Sequence, residues 1–403
     1  MSKSSKRYHI KLALIIFILV AHPHAYSRTY YVSTNGNDSN PGTSMQPFQS
    51  PERAVEVVQP GQTIYIRGGI YPLGRTITIN KHGSKEKRIN LWAYPGEVPV
   101  LDFSKAAVGS HGLKISARFW HIKGLVITKA GGKSIHIAGA NNIIENTITH
   151  ANGDGGIKLD TEASNNLVLN CDSYLNYDKA TKGKNADGFA AKHCIGKDNK
   201  FIGCRAWNNS DDGFDFMEAG NALHVENCWS WGNGQNIWQD PDFDGNGVGF
   251  KLGDGPGEHV IIRCLTWANA KCGFNIQGNT SSVTLYNNTA WNNGRNYFFD
   301  DNHPHKLRNN ISFQGEVVMW PGIDHKNNSW NGSAIVTADD FLSLDDSGMK
   351  GPRNPDSSLP QTNFLRLEPH SDLIDAGINL QLAFQGSAPD LGAFETTTPT
   401  NHQ

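Results

Sequence analysis

The stretch NSDDGFDF (209–216) sets Asp211, Asp212 and Asp215 within five residues, beside two phenylalanines spaced like core residues. Like charges this close repel unless some carboxylates stay protonated or a cation sits among them. An all-oxygen donor set favours a hard cation. A flexible mix of carboxylates, backbone carbonyls and water suits Ca²⁺ better than Mg²⁺, which demands stricter octahedral geometry. Aspartates capping turns beside glycines would account for one or two of these residues, but poorly for a larger group in register. Downstream, VGFKLG carries Lys251. A plain ion pair with an aspartate is one reading of it. Beside a divalent cation, however, the ammonium form is disfavoured and the pKa falls, and a neutral lysine can act as a general base. Cation plus base on an exposed sheet face is equipment for proton abstraction.

These residues must be positioned by a repeat. From about 135 to 292 one pattern recurs, its lines opening at Ile135, Ile157, Phe189, Phe214, Phe250 and Phe274, at spacings of 22, 32, 25, 36 and 24. The basic coil is therefore 22–25 residues, with insertions before Phe189 and Phe250. Each line carries two or three short alternating strands separated by Gly/Asn turns. One such coil cannot bury its apolar side alone, but stacked coils share a core. The spacing thus predicts an all-β fold, a parallel β-helix. Leucine-rich and helical repeats lack their signatures here. Cys171, Cys204, Cys228 and Cys264 fall in one column, and Tyr174, Trp207, Trp231, Trp267 and Trp291 in another. The cysteines read as small buried core residues rather than disulfides, with Cys194 and Cys272 left open. The tryptophans read as a structural ladder rather than a sugar-stacking platform.

Stacking also gathers the acids. Asp187 and Asp212 precede the Gly-Phe pairs of consecutive coils, so they should lie side by side, about 4.8 Å apart at the backbone. With Phe214 and Phe216 inward, Asp215 points out, and Lys251 holds the same outward column one coil later. Asp187, Asp211, Asp212 and Asp215 are the expected metal ligands and Lys251 the expected base. Lys184, Lys192, Arg205, Lys271 and Arg295 are basic residues near this face, candidate contacts for the anionic substrate that the family resemblance given below implies.

The two ends differ from the middle. Lys3, Lys6, Arg7 and Lys11 precede the ten-residue apolar run LALIIFILVA, and Ala25 and Ser27 suit cleavage before Arg28. Ten apolar residues are too few to span a bilayer, so 1–27 reads as a signal peptide and 28–403 as one β-helix domain, secreted or periplasmic. Residues 30–58 predict a strand, a Gly/Asn/Pro loop and a short amphipathic helix whose Val55 and Val58 cap the core. The C-terminal part predicts an irregular extension packed on the solenoid. The 42 glycines and many asparagines fit a turn-rich β protein, and a formal net charge of −2 gives no reason to expect nucleic acid as a partner. A monomer without a membrane partner is expected.

Other signatures are weak. Asp240, Asp242, Asp244 and Gly245 match the first half of an EF-hand loop, but position 12 is Lys251 and no flanking helices are evident. His303 and His305 lack the zinc-peptidase pattern and read as solvated loop residues.

The opening YYVSTNGNDSNPGT, the blocks NADGFAAK, NSDDGFDF and GNGVGFKLG, and the closing APDLGAFE together resemble polysaccharide lyase family 9. The resemblance implies a right-handed parallel β-helix with one catalytic Ca²⁺. It carries ligand roles onto Asp187, Asp211, Asp212 and Asp215, and the base onto Lys251. The implied reaction is β-elimination on a uronic-acid polymer, pectate or polygalacturonate. Rhamnogalacturonan I is the alternative substrate, cut by the same catalytic core. A β-helix glycoside hydrolase with paired acids or a non-catalytic carbohydrate-binding solenoid is a competing class, and neither gives Lys251 a role.

Overall fold

A computed structural model describes residues 28–332 and 335–396. The signal peptide expected over 1–27 lies outside the described residues. The chain winds into a right-handed solenoid whose coils stack three parallel sheets. The first sheet has 12 strands, from Thr29–Val32 to Asp324–His325. The second and third have 10 each, running from Ile77–Ile79 to Glu316–Met319 and from Gly69–Pro72 to Ile311–Phe313.

The register follows the sequence columns. Ile135, Ile157, Phe189, Phe214, Phe250 and Phe274 pair in succession along the second sheet. Inside the coil, Phe189, Phe214, Phe250, Phe274 and Tyr297 stack with ring centroids 4.9, 4.7, 5.0 and 5.1 Å apart. Burying each ring stabilises by about 1.5–3 kcal/mol, and each stacked pair adds about 0.5–1.5 kcal/mol. That gain lets this sheet carry a costly charge cluster on its outer side.

The corners explain the asparagines. Asn146, Asn170, Gly203, Asn227 and Arg263 recur at one corner with φ between 49° and 64°, a left-handed turn that asparagine and glycine adopt most readily. The next residue turns inward. At this corner it is Cys171, Cys204, Cys228 and Cys264, all buried and unpaired, and the column continues as Asn288, Asn310 and Asn328. Cys272 is also buried and free, and Cys194 is exposed and free. At the corner between the third and second sheets, Asn152, Asn176, Asn209, Asn233, Asn269 and Asn293 form a ladder. Each backbone amide donates to the next side-chain carbonyl at 3.0–3.3 Å. Buried polar groups are thereby satisfied coil by coil.

His305 departs from the expectation of a solvated loop. It is fully buried, and its Nδ1 accepts the Val283 amide at 3.1 Å in a corner position. Its proton is therefore on Nε2, which donates to Asp301 Oδ1 at 2.9 Å.

Helix Pro51–Val57 is capped by Ser50 and buries Val55, with Val58 just beyond its end also buried, over the open end of the first coils. The C-terminal extension lies on the outer face of the third sheet. There Tyr174, Trp207, Trp231 and Trp267 stack at 4.3, 4.9 and 4.6 Å. Phe341, Phe364, Leu365 and Leu373 belong to the same apolar cluster, and Trp267 Nε1 donates to Asp346 at 2.7 Å. The ladder is thus structural, covered by the extension. Among the described residues no helix is long and apolar enough to cross a membrane.

Candidate active site and metal centre

The acids stand on the outer face and upper edge of the second sheet. Gly213 explains the DGF pattern, because a Cβ there would lie 1.9 Å from Ser230 Oγ on the third sheet. Only glycine lets the strand enter at this point, which sets Asp212 on one side and Phe214 on the other. Asp215 and Lys251 are register partners in adjacent strands.

Each carboxylate is fixed by backbone amides. Asp187 Oδ1 accepts from Asp212 N at 3.3 Å, Asp212 Oδ1 from Val248 N at 2.8 Å, and Asp215 Oδ1 from Met217 N at 2.9 Å. One oxygen from each of Asp187, Asp212 and Asp215 lies within 4.8 Å of the others. Asp211 is not in that convergent group. Its two oxygens accept from Asn185 N at 2.8 Å and Asn246 N at 2.7 Å, which leaves lone pairs on both. Asp212 Oδ2 is buried without a hydrogen bond and faces the Lys251 ammonium at 3.3 Å.

Two lysines alternate with the acids. Lys251 Nζ is 3.4 Å from Asp215 Oδ2, so the plain ion pair that the sequence allowed is present. Lys192 Nζ is 2.9 Å from Asp187 Oδ2 and also bonds Asp215 Oδ2. Lys192 is thus engaged with the acids, and it also lines the groove beside Asp187. Its side chain is 8% exposed and belongs to the cluster.

The electrostatics follow. Burial, with neighbouring acids, pushes Asp187 and Asp212 up to about 7 and Asp211 up to about 6. Burial also acts on Asp215, but Lys192 and Lys251 outweigh it and hold that carboxyl below its usual value. For Lys251, burial alone would lower the pKa. The carboxylates of Asp212, Asp215 and Asp187 overcome burial and raise it.

The remaining sequence candidates scatter. Arg205 lies on the third sheet, buried, and pairs with Asp172 at 2.7 Å while donating to the carbonyls of Met349 and Gly351 at 2.9 Å. It clamps the C-terminal extension and does not reach the acidic face. Arg205→Ala should lower stability by about 1.5–3 kcal/mol, since Asp172 loses one charged partner and keeps Arg353 at 2.6 Å. Calorimetric unfolding of that variant is the check, and cation affinity should not change. Lys184 pairs with Asp244 at 2.5 Å, and Lys271 donates to Asn246 at 2.7 Å, so both sit at the loops above the cluster. Arg295 pairs with Glu316 at 2.9 Å farther along the second sheet. The EF-hand-like loop is tied to the neighbouring insertion, Asp240 to Tyr177 and Asp244 to Lys184.

Sequence reasoning missed the groove beside Asp187, lined by Lys133, Asp154, Lys158 and His193. Lys158 shares the outward column of Asp215 two coils earlier, so the repeat register could have found it.

A model of the Pel9A-like right-handed β-helix region matches residues 30–310. The chain belongs to polysaccharide lyase family 9. It is 40% identical to pectate lyase L of Dickeya dadantii over 91% of this chain and 90% of that protein. The crystal structure of pectate lyase Pel9A superposes with a TM-score of 0.88 at 40% identity, covering 92% of this chain and 97% of that one. A rhamnogalacturonan lyase superposes at 0.79 with 29% identity, covering 85% and 97%. As a family 9 member the chain is a polysaccharide lyase, which sets aside the hydrolase and the non-catalytic solenoid.

Proposed function

We propose that the chain is an exported, Ca²⁺-dependent pectate lyase that cleaves polygalacturonate by β-elimination. It would work as a monomeric solenoid from Arg28 onward, on acidic plant cell-wall polysaccharide. The observation that carries this reading is Lys251 Nζ set beside the buried, unbonded Asp212 Oδ2 in a cluster of carboxylates. A buried carboxylate oxygen without a hydrogen bond, among other carboxylate oxygens, fits a hard divalent cation, and the 40% identity to pectate lyase L supports the substrate.

Asp187, Asp211, Asp212 and Asp215 would hold the Ca²⁺. When bound, Ca²⁺ supplies neutralisation of the substrate carboxylate and of the charge that builds as the adjacent carbon is deprotonated. Lys251 Nζ takes the C5 proton. The C5 electron pair forms the C4–C5 double bond, the C4–O bond breaks, and the leaving oxygen is protonated from solvent. Lys251 must first lose a proton, and neutralising Asp212, Asp215 and Asp187 removes the field that keeps it charged. Lys158 and Lys133 in the adjoining groove would meet further substrate carboxylates.

Rhamnogalacturonan I is the second reading, favoured by the superposition on a rhamnogalacturonan lyase. The test follows ultraviolet absorbance of unsaturated product from each polymer, with Ca²⁺ or with chelator. Absorbance on polygalacturonate that chelator abolishes is expected. Product from rhamnogalacturonan I alone would move the assignment, and chelator-resistant turnover would remove the Ca²⁺ requirement.

A further inference from the structure

We propose that Lys192 is a built-in counterion that sets the affinity and charge selectivity of the cation site, and this rests on the Ca²⁺ reading above. The fixed charges on the outer face run in alternation: Asp187, Lys192, Asp215, Lys251, Asp212. Lys192 Nζ bonds two of the three carboxylates whose oxygens converge. Its partners are 3% and 1% exposed, so solvent screens these interactions little.

With Asp211 the acids count four negative charges against two lysines, a formal balance of −2 that one divalent ion cancels. Without Lys192 the balance is −3, which a trivalent ion matches better. Lys192 is thus a tuning residue and not a catalytic one. It limits how strongly the acids attract a cation, and it compensates Asp187 and Asp215 when no ion is bound. A lysine serves this purpose because its ammonium is compact and on a flexible stem.

The test measures metal binding by isothermal titration calorimetry on the whole protein, with Ca²⁺ and separately with Tb³⁺. Lys192→Met should bind Ca²⁺ at least about tenfold more tightly, as expected for deleting a positive charge in a poorly screened site. Its gain for Tb³⁺ should exceed its gain for Ca²⁺. Lys192→Arg keeps the charge, so its Ca²⁺ affinity should stay within a few-fold of wild type. Unchanged or weaker Ca²⁺ binding by Lys192→Met would overturn the proposal and make Lys192 an orienting scaffold for its two acids. Should Lys192→Met not fold, a tenfold or larger affinity change in Lys192→Arg overturns it equally. Wild-type protein that binds neither ion would sink the Ca²⁺ reading itself, and the counterion with it.

Discussion

Lys251→Met is expected to lower turnover of polygalacturonate by about 10²–10⁴-fold, the usual contribution of a positioned general base. Methionine keeps most of the unbranched stem, so packing beside Asp215 is retained and only the ammonium is lost. The loss should fall on kcat more than on KM, because proton abstraction occurs in the transition state and not on binding. Ca²⁺ binding should persist, since the carboxylates remain fixed by Asp212 N, Val248 N and Met217 N. Ultraviolet assay of unsaturated product, run beside calorimetric Ca²⁺ titration, separates the two effects. Near wild-type turnover in this variant would take the base role from Lys251.

The second large effect is on stability without metal. The folded pKa values of Asp187 and Asp212 are raised to about 7 and that of Asp211 to about 6, chiefly by burial. Raised carboxyl pKa values mean that the folded state holds these protons more tightly than the unfolded chain. Their contribution is fully present below the unfolded value of 3.8 and is lost as pH rises through the folded values. Asp215, held low, changes only below that window, and the raised lysines only above it. Metal-free protein should therefore lose about 5–10 °C in Tm between pH 4.5 and 8. Saturating Ca²⁺ should restore most of that loss at pH 8 and add little at pH 4.5, where protons compete for the same oxygens. Differential scanning calorimetry in chelator and in Ca²⁺ tests this. A flat Tm in chelator, or equal stabilisation by Ca²⁺ at both pH values, would contradict it.

Much of this site was legible because a solenoid converts sequence columns into neighbours. Phe189, Phe214 and Phe250 fix the register, and alternation then places Asp215 and Lys251 side by side outside. What the columns do not give is where a long side chain reaches. Lys192 pairs by register with Asp160, yet its ammonium bends back to Asp187 at the entry of its own strand and across to Asp215 in the next coil. Arg205 was misplaced for another reason. It follows the Cys204 corner and precedes Trp207 in the same strand, so its face is that of the tryptophan ladder. His305 was unreadable because nothing local marks a loop histidine as a corner residue; its burial depends on Val283 in the coil before. The acids' proton affinities depend on burial, which a list of residue types does not state.

Asp211 receives the amides of Asn185 and Asn246, one from each of the two insertions. Both loops are therefore moored at one carboxylate while their spans, 176–184 and 235–245, are held largely to each other. This is a socket with interchangeable parts. Length and composition can vary inside those spans, provided the two mooring amides return to Asp211. Loop grafts from other family 9 lyases should be cut within these bounds.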